Sequence, residues 1–167
     1  MNIQETVQGG FSAGAITSKT SVTTQTLTIP NDARTVGGVA IKDVKVVKVA
    51  LGVLDTAGGV LAWANPESAT ILIQRVFINI TTKSSAASTV DIGVAANGTT
   101  LNDTMFDGID AGTGIGIYDN LNATDIAGAN AVPKVNIMTS GQYLTASKAS
   151  GACAGLVGFA YIEYIRL

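Results

Sequence analysis

Apolar and polar positions along this chain alternate or gather in short runs, and nowhere do they recur at the 3.6-residue spacing of a helix face. The most apolar stretch, Thr70 to Ala96, reads TILIQRVFINITTKSSAASTVDIGVAA. Ile71–Ile80 is dense in β-branched residues and holds no Gly or Pro, and Val90–Ala96 alternates more cleanly. The simplest expectation is two antiparallel strands joined by a solvated loop, TTKSSAAST. Both are too apolar for a sheet wet on one face. The first should lie centrally, buried on both sides or packed against a second sheet.

The flanking pattern extends the expectation. Ser21–Ile29 is Thr-rich and stops at Pro30, as an edge strand does. In Val36–Val53, Lys42, Lys45 and Lys48 recur every three residues, but Val44, Val46, Val47, Val49 and Val53 disfavour a helix. A strand is expected, with a bulge near Val46–Val47 that shifts the facing of the later residues. Val60–Ala64 is a short strand carrying Trp63, the one tryptophan, and Asn65-Pro66-Glu67 breaks the chain after it. Asn97-Gly98 is a tight-turn signal. From Thr99 to Pro133 no period is sustained. That region is either a long ordered loop with short strands around Ile115–Tyr118, or it holds a short helix near Leu101–Phe106. Val135–Met138, Gln142–Ser147 and Leu156–Leu167 read as strands. In the last, Phe159 and Tyr161 share one face and Tyr164 takes the other, while Gly158 and Ala160 leave room for a neighbouring sheet.

These elements predict an all-β fold over residues 22–167, an antiparallel β-sandwich of the jelly-roll kind. Residues 1–21 hold only Ile3, Val7, Phe11 and Ile16 as isolated apolar points among Gly, Ser, Thr and Gln. They are expected to form an extended arm whose ordering cost, about 1–2 kcal/mol per residue, is met only against another surface. Those four residues are its candidate partner-binding anchors.

Composition sharpens this. Charged residues make up 13% and hydrophobic ones 47% of 167 residues, about half the usual share of charge. Such a surface suits a subunit of an assembly better than a free monomer. No apolar run reaches the roughly 18–20 residues that span a bilayer, so no membrane partner is expected. The net charge of −2 gives no general pull towards nucleic acid. The distribution is uneven: Arg34, Lys42, Lys45 and Lys48 are close in sequence, whereas Ser84–Pro133 holds Asp91, Asp103, Asp107, Asp110, Asp119 and Asp125 with no Lys or Arg. One cysteine, Cys153, forbids an intrachain disulfide and fits folding in a reducing cytoplasm.

Catalytic chemistry is thinly supplied. There is no histidine, which removes the usual general base and every Ser–His or Cys–His pair. Cys153 sits in SGACAG with no charge nearby in sequence and reads as a small buried hydrophobe. Gly112-Thr113-Gly114-Ile115-Gly116 lacks the spacing and following helix of a phosphate loop. Asp103, Asp107 and Asp110 depart from the calcium-loop pattern and read as turn formers. Trp63, Tyr143, Tyr161 and Tyr164 are the candidates for a carbohydrate groove. The expectation is a non-enzyme with no cofactor and no metal.

The segments TTKSSAASTVDIGVAANGTT, MFDGIDAGTGIGIYDN and GQYLTASKASGACAGLVGFAYIEYIRL resemble those of small β-rich virion proteins of tailed bacteriophages, over roughly residues 70–167. The resemblance implies a capsid decoration (cement) protein or a related head-surface protein. As such it would be a non-enzymatic structural subunit, commonly a homotrimer, folded in the host cytoplasm and bound to the capsid surface of the virion. Its partners would be the major capsid protein or other virion subunits, with the arm as the attachment. The alternative is a jelly-roll module of a tail or fibre that binds a carbohydrate receptor.

Overall fold

The computed structural model describes residues 43–121 and 135–167, with the backbone of 35–36 and 39–40. The arm expected over residues 1–21, its anchors Ile3, Val7, Phe11 and Ile16, and the strand expected over 21–29 lie outside the described residues.

Every regular element described is a strand. They are β1 (Thr35–Val36), β2 (Val39–Ala40), β3 (Lys45–Ala50), β4 (Leu61–Ala64), β5 (Ile71–Thr82) and β6 (Thr89–Ala95), then β7 (Phe106–Asp110), β8 (Gly116–Asp119), β9 (Asn136–Met138), β10 (Tyr143–Ser150) and β11 (Val157–Arg166). Among the described residues β1 and β2 pair only with each other. The rest form two antiparallel sheets, one of four strands in the order β4-β10-β6-β7 and one of five in the order β3-β11-β5-β8, with β9 also on β5. The expected all-β sandwich is what the chain forms. Its core is filled from both inner faces: Ile71, Ile73, Val76, Ile78, Ile80, Ala160 and Ile162 from one sheet meet Leu61, Val90, Ile92, Phe106, Ile109, Leu144 and Ala146 from the other.

β5 is central as expected, flanked by β11 on one side and by β8 and β9 on the other. The expected pairing of Ile71–Ile80 with Val90–Ala96 does not occur. β6 pairs instead with β10 and β7. Each of the two strands is apolar enough to need a sheet neighbour on both sides and a packed face across the core, so they oppose one another from different sheets. Nor is the segment between them simply solvated. Ser84 and Ser88 are buried, their hydroxyls 2.6 Å apart, and the Ser84 amide donates to the Ala111 carbonyl at 2.8 Å.

Two further expectations are corrected. β3 runs in unbroken register against β11, from Ala50 opposite Phe159 to Lys45 opposite Tyr164, with no bulge at Val46–Val47. Strict alternation turns Val47 and Val49 inward and leaves Val44 and Val46 exposed. Leu101–Phe106 forms no helix. It leads into β7, an element the sequence pattern hid because Gly108, at φ +83°, breaks the alternation between the buried Phe106 and Ile109.

Candidate interaction face

The outer faces of the two sheets differ in kind. On the four-stranded sheet the outward residues of β6 and β10 are small or polar: Asp91, Gly93, Thr145 and Ser147, all buried. Two loops roof them. The Gly58 amide donates to Ser147 Oγ at 2.8 Å, and Thr145 Oγ1 donates to the Thr100 carbonyl at 2.9 Å. The 97–104 loop lies so close that a Cβ on Gly93 would fall 2.0 Å from Asn102 Oδ1. Asp91 Oδ1 accepts from the Gly108 amide at 2.9 Å. Burial pushes the Asp91 carboxyl above the usual range, helped by Asp107 and Asp103 and opposed by that hydrogen bond.

The five-stranded sheet has no such roof among the described residues, and its outer face is largely apolar. Pairing registers set it out in rows. Ala50, Phe159, Asn79 and Ile117 make one, and Lys48, Tyr161, Phe77 and Asp119 the next. Val46, Glu163 and Arg75 follow, then Ile165, Leu72 and Ile137, with Val44 beside Ile165 by continuation of the β3 register. The most exposed members lie on the two edges: Val44 (55%), Val46 (60%), Ile117 (70%) and Ile137 (57%). A single exposed valine is ordinary, but exposed apolar residues gathered on one sheet face make this surface the candidate interaction face.

Four charges punctuate this face, two of each sign. Lys48 Nζ lies 3.8 Å from the centre of the Phe159 ring and 5.6 Å from that of Tyr161. Arg75 stacks 4.3 Å from the Phe77 ring and forms an ion pair with Asp119. That hydrogen-bonded guanidinium holds the Asp119 carboxyl below the usual range. Glu163 stands directly across from Arg75. Cations seated on aromatic faces gain from the ring quadrupole while their heads stay accessible to solvent or to a partner.

The other sequence candidates are scattered. Trp63 and Tyr164 pack together with ring centres 5.5 Å apart, and Tyr164 is buried. Tyr143 lies against Gly98 beneath the loop roof, and Tyr161 is on the open face. The four aromatics therefore do not line one groove. Tyr164 donates to Glu67 Oε1 at 3.2 Å, and Glu67 also pairs with Lys45. The Lys45 hydrogen bond depresses the Glu67 carboxyl, and burial followed by Glu67 raises the Tyr164 phenol. Asp110 Oδ1 accepts from the amides of Gly112 and Thr113 at 2.9 Å each, the role of a turn former. No group of three or more metal-ligating side chains occurs among the described residues. Cys153 is buried, and its amide donates to Asp55 Oδ1 at 2.8 Å.

The molecule is thus an antiparallel β-sandwich with one roofed and one open sheet face. No family model and no curated protein sequence matches the chain. Among solved structures it is similar to a chain in the acidic stable capsid structure of Helicobacter pylori bacteriophage KHP30. That similarity has 14% identity and a TM-score of 0.46, and it covers 75% of this chain and 90% of that one.

Proposed function

We propose that this protein is a non-enzymatic structural subunit of a bacteriophage virion, one that binds and stabilises the outer surface of the capsid. The observation that carries the reading is the open, largely apolar face of the five-stranded sheet, in contrast to a partner sheet roofed over β6 and β10, the surface of a subunit made to be covered by protein. The sequence resemblance over residues 70–167 to small virion proteins of tailed phages supplies the assembly. The order of the strands, with β11 between β3 and β5 and β10 between β4 and β6, supports a jelly-roll connectivity. Residues 1–21, with Ile3, Val7, Phe11 and Ile16, are the proposed attachment to the shell by strand addition to an open sheet edge.

The test is co-sedimentation with phage heads stripped of the protein. The full chain should saturate the shells and raise their resistance to heat. Deleting residues 1–21 should lower occupancy at least tenfold. Full occupancy by the truncated chain would remove the arm from the account, and no binding by the full chain would overturn the reading itself.

A further inference from the structure

We infer that the occupant of the open face of the five-stranded sheet is a second copy of this chain, related by a two-fold axis parallel to the strands and lying between β11 and β5. The argument is charge complementarity on a face that has equal numbers of each sign. A two-fold of this kind sets β3 of one copy over β8 and β9 of the other, and β11 over β5, each row meeting itself reversed. Lys48 then meets Asp119, and Glu163 meets Arg75, so all four charges face an opposite one. Tyr161 meets Phe77, Ile165 meets Leu72, Ala50 meets Ile117, and Val44 meets Ile137; these positions follow from the pairing registers. A two-fold across the strands, midway between the second and third rows, would instead set Lys48 over Val46, Glu163 over Tyr161 and Arg75 over Phe77, so that none of these charges meets an opposite one. Isologous contact requires a patch complementary to itself, and only the strand-parallel axis supplies it here.

Size agrees with this. Four strand positions at ~4.8 Å spacing and four rows at ~6.7 Å cover about 500 Å² per copy, hence about 1,000 Å² in all, the lower bound for a specific interface. Sheets stacked with their strands within about 30° of one another are also one of the two standard sheet packings. The inference rests on the reading of this face as one that protein covers. It replaces the trimer implied by the family resemblance with a two-fold pair.

Sedimentation velocity on the full chain tests it. The unmodified protein should be a dimer at 50 µM. Lys48→Glu and Asp119→Lys should each place two like-charge pairs in the homodimer, weaken it more than tenfold, and sediment as monomers. Mixed in equal amounts, they should form a heterodimer, because both contacts then join opposite charges. Since Asp119 also holds Arg75, Val44→Asp is a second arm; it lies on the exposed edge and should give a monomer with unchanged far-UV circular dichroism. A monomeric or trimeric parent, a Val44→Asp dimer, or folded charge variants that stay monomeric when mixed would each overturn the inference. A monomer that still saturates phage heads would remove the two-fold and leave the proposed function standing.

Discussion

Asn120 is the place where a single side chain substitutes for a missing strand. β8 ends at Asp119 opposite Phe77, and β9 takes up the same edge of β5 only at Ile73. Next to this gap β5 is irregular, shifting register against β11 between Ile73 and Arg75. The Val76 amide would be an orphan there, but Asn120 Oδ1 accepts from it at 2.7 Å and the Asn120 amide donates to the Val76 carbonyl at 3.3 Å. Both residues are fully buried. Asn120→Ala removes the acceptor, and water cannot replace it in a closed site. An unsatisfied buried donor costs about 1–3 kcal/mol, which for a chain of this length lowers Tm by about 3–10 °C. Equilibrium urea unfolding should show the loss as a shifted midpoint at unchanged slope. Leu101→Ala, a truncation at an exposed loop position, should cost less than about 0.5 kcal/mol. If Asn120→Ala costs no more than Leu101→Ala, the side chain is not completing the sheet.

Two predictions concern pH. The Glu67 carboxyl is depressed mainly by its hydrogen bond from Lys45. Its contribution is therefore fully present above the ordinary carboxylate pKa of about 4.5 and is lost as pH falls through the folded value. The gap in urea midpoint between wild type and Glu67→Gln should be widest near neutrality and shrink towards pH 2. Asp91 has the opposite sign: burial raises its carboxyl, so its charge disfavours the fold above that pKa. Asp91→Asn keeps an acceptor for the Gly108 amide and should be more stable than wild type at pH 7 but no more stable at pH 3, read from urea midpoints.

The sandwich was legible because its inward residues alternate: the even positions of β11 and the valines Val47 and Val49 of β3 fall into register with the core. Which strands adjoin was not. Ile71–Ile80 and Val90–Ala96 look like a hairpin because they are neighbours in sequence, yet their partners β11 and β10 come from the far end of the chain, and local pattern carries no record of that. β7 was hidden by the positive φ of Gly108. The candidate face was present in the sequence in a form easily misread. Val46 beside Val47 suggested a bulge that shifts the facing of later residues, whereas unbroken register leaves Val46 outward. Phe77, Ile117 and Ile137 on the outward side of their strands belong to the same signal. A strand apolar on both sides reads as central, whereas β3 lies at the edge of its sheet and leaves Val44 and Val46 exposed.

The central claim, that the outer face of the five-stranded sheet is covered by protein when this chain is at work, is tested most directly by thiol labelling in virions. Ile117→Cys and Ile137→Cys place a thiol at two strongly exposed points of the face, Ala62→Cys places one at an exposed position of the other sheet, and the native Cys153 is buried. A maleimide should modify the two face cysteines at least tenfold more slowly in virions carrying the variants than in the dilute isolated protein, with Ala62→Cys equally reactive in both. Equal reactivity of Cys at 117 and 137 in virion and free protein would show the face open to solvent in the assembly and contradict the account.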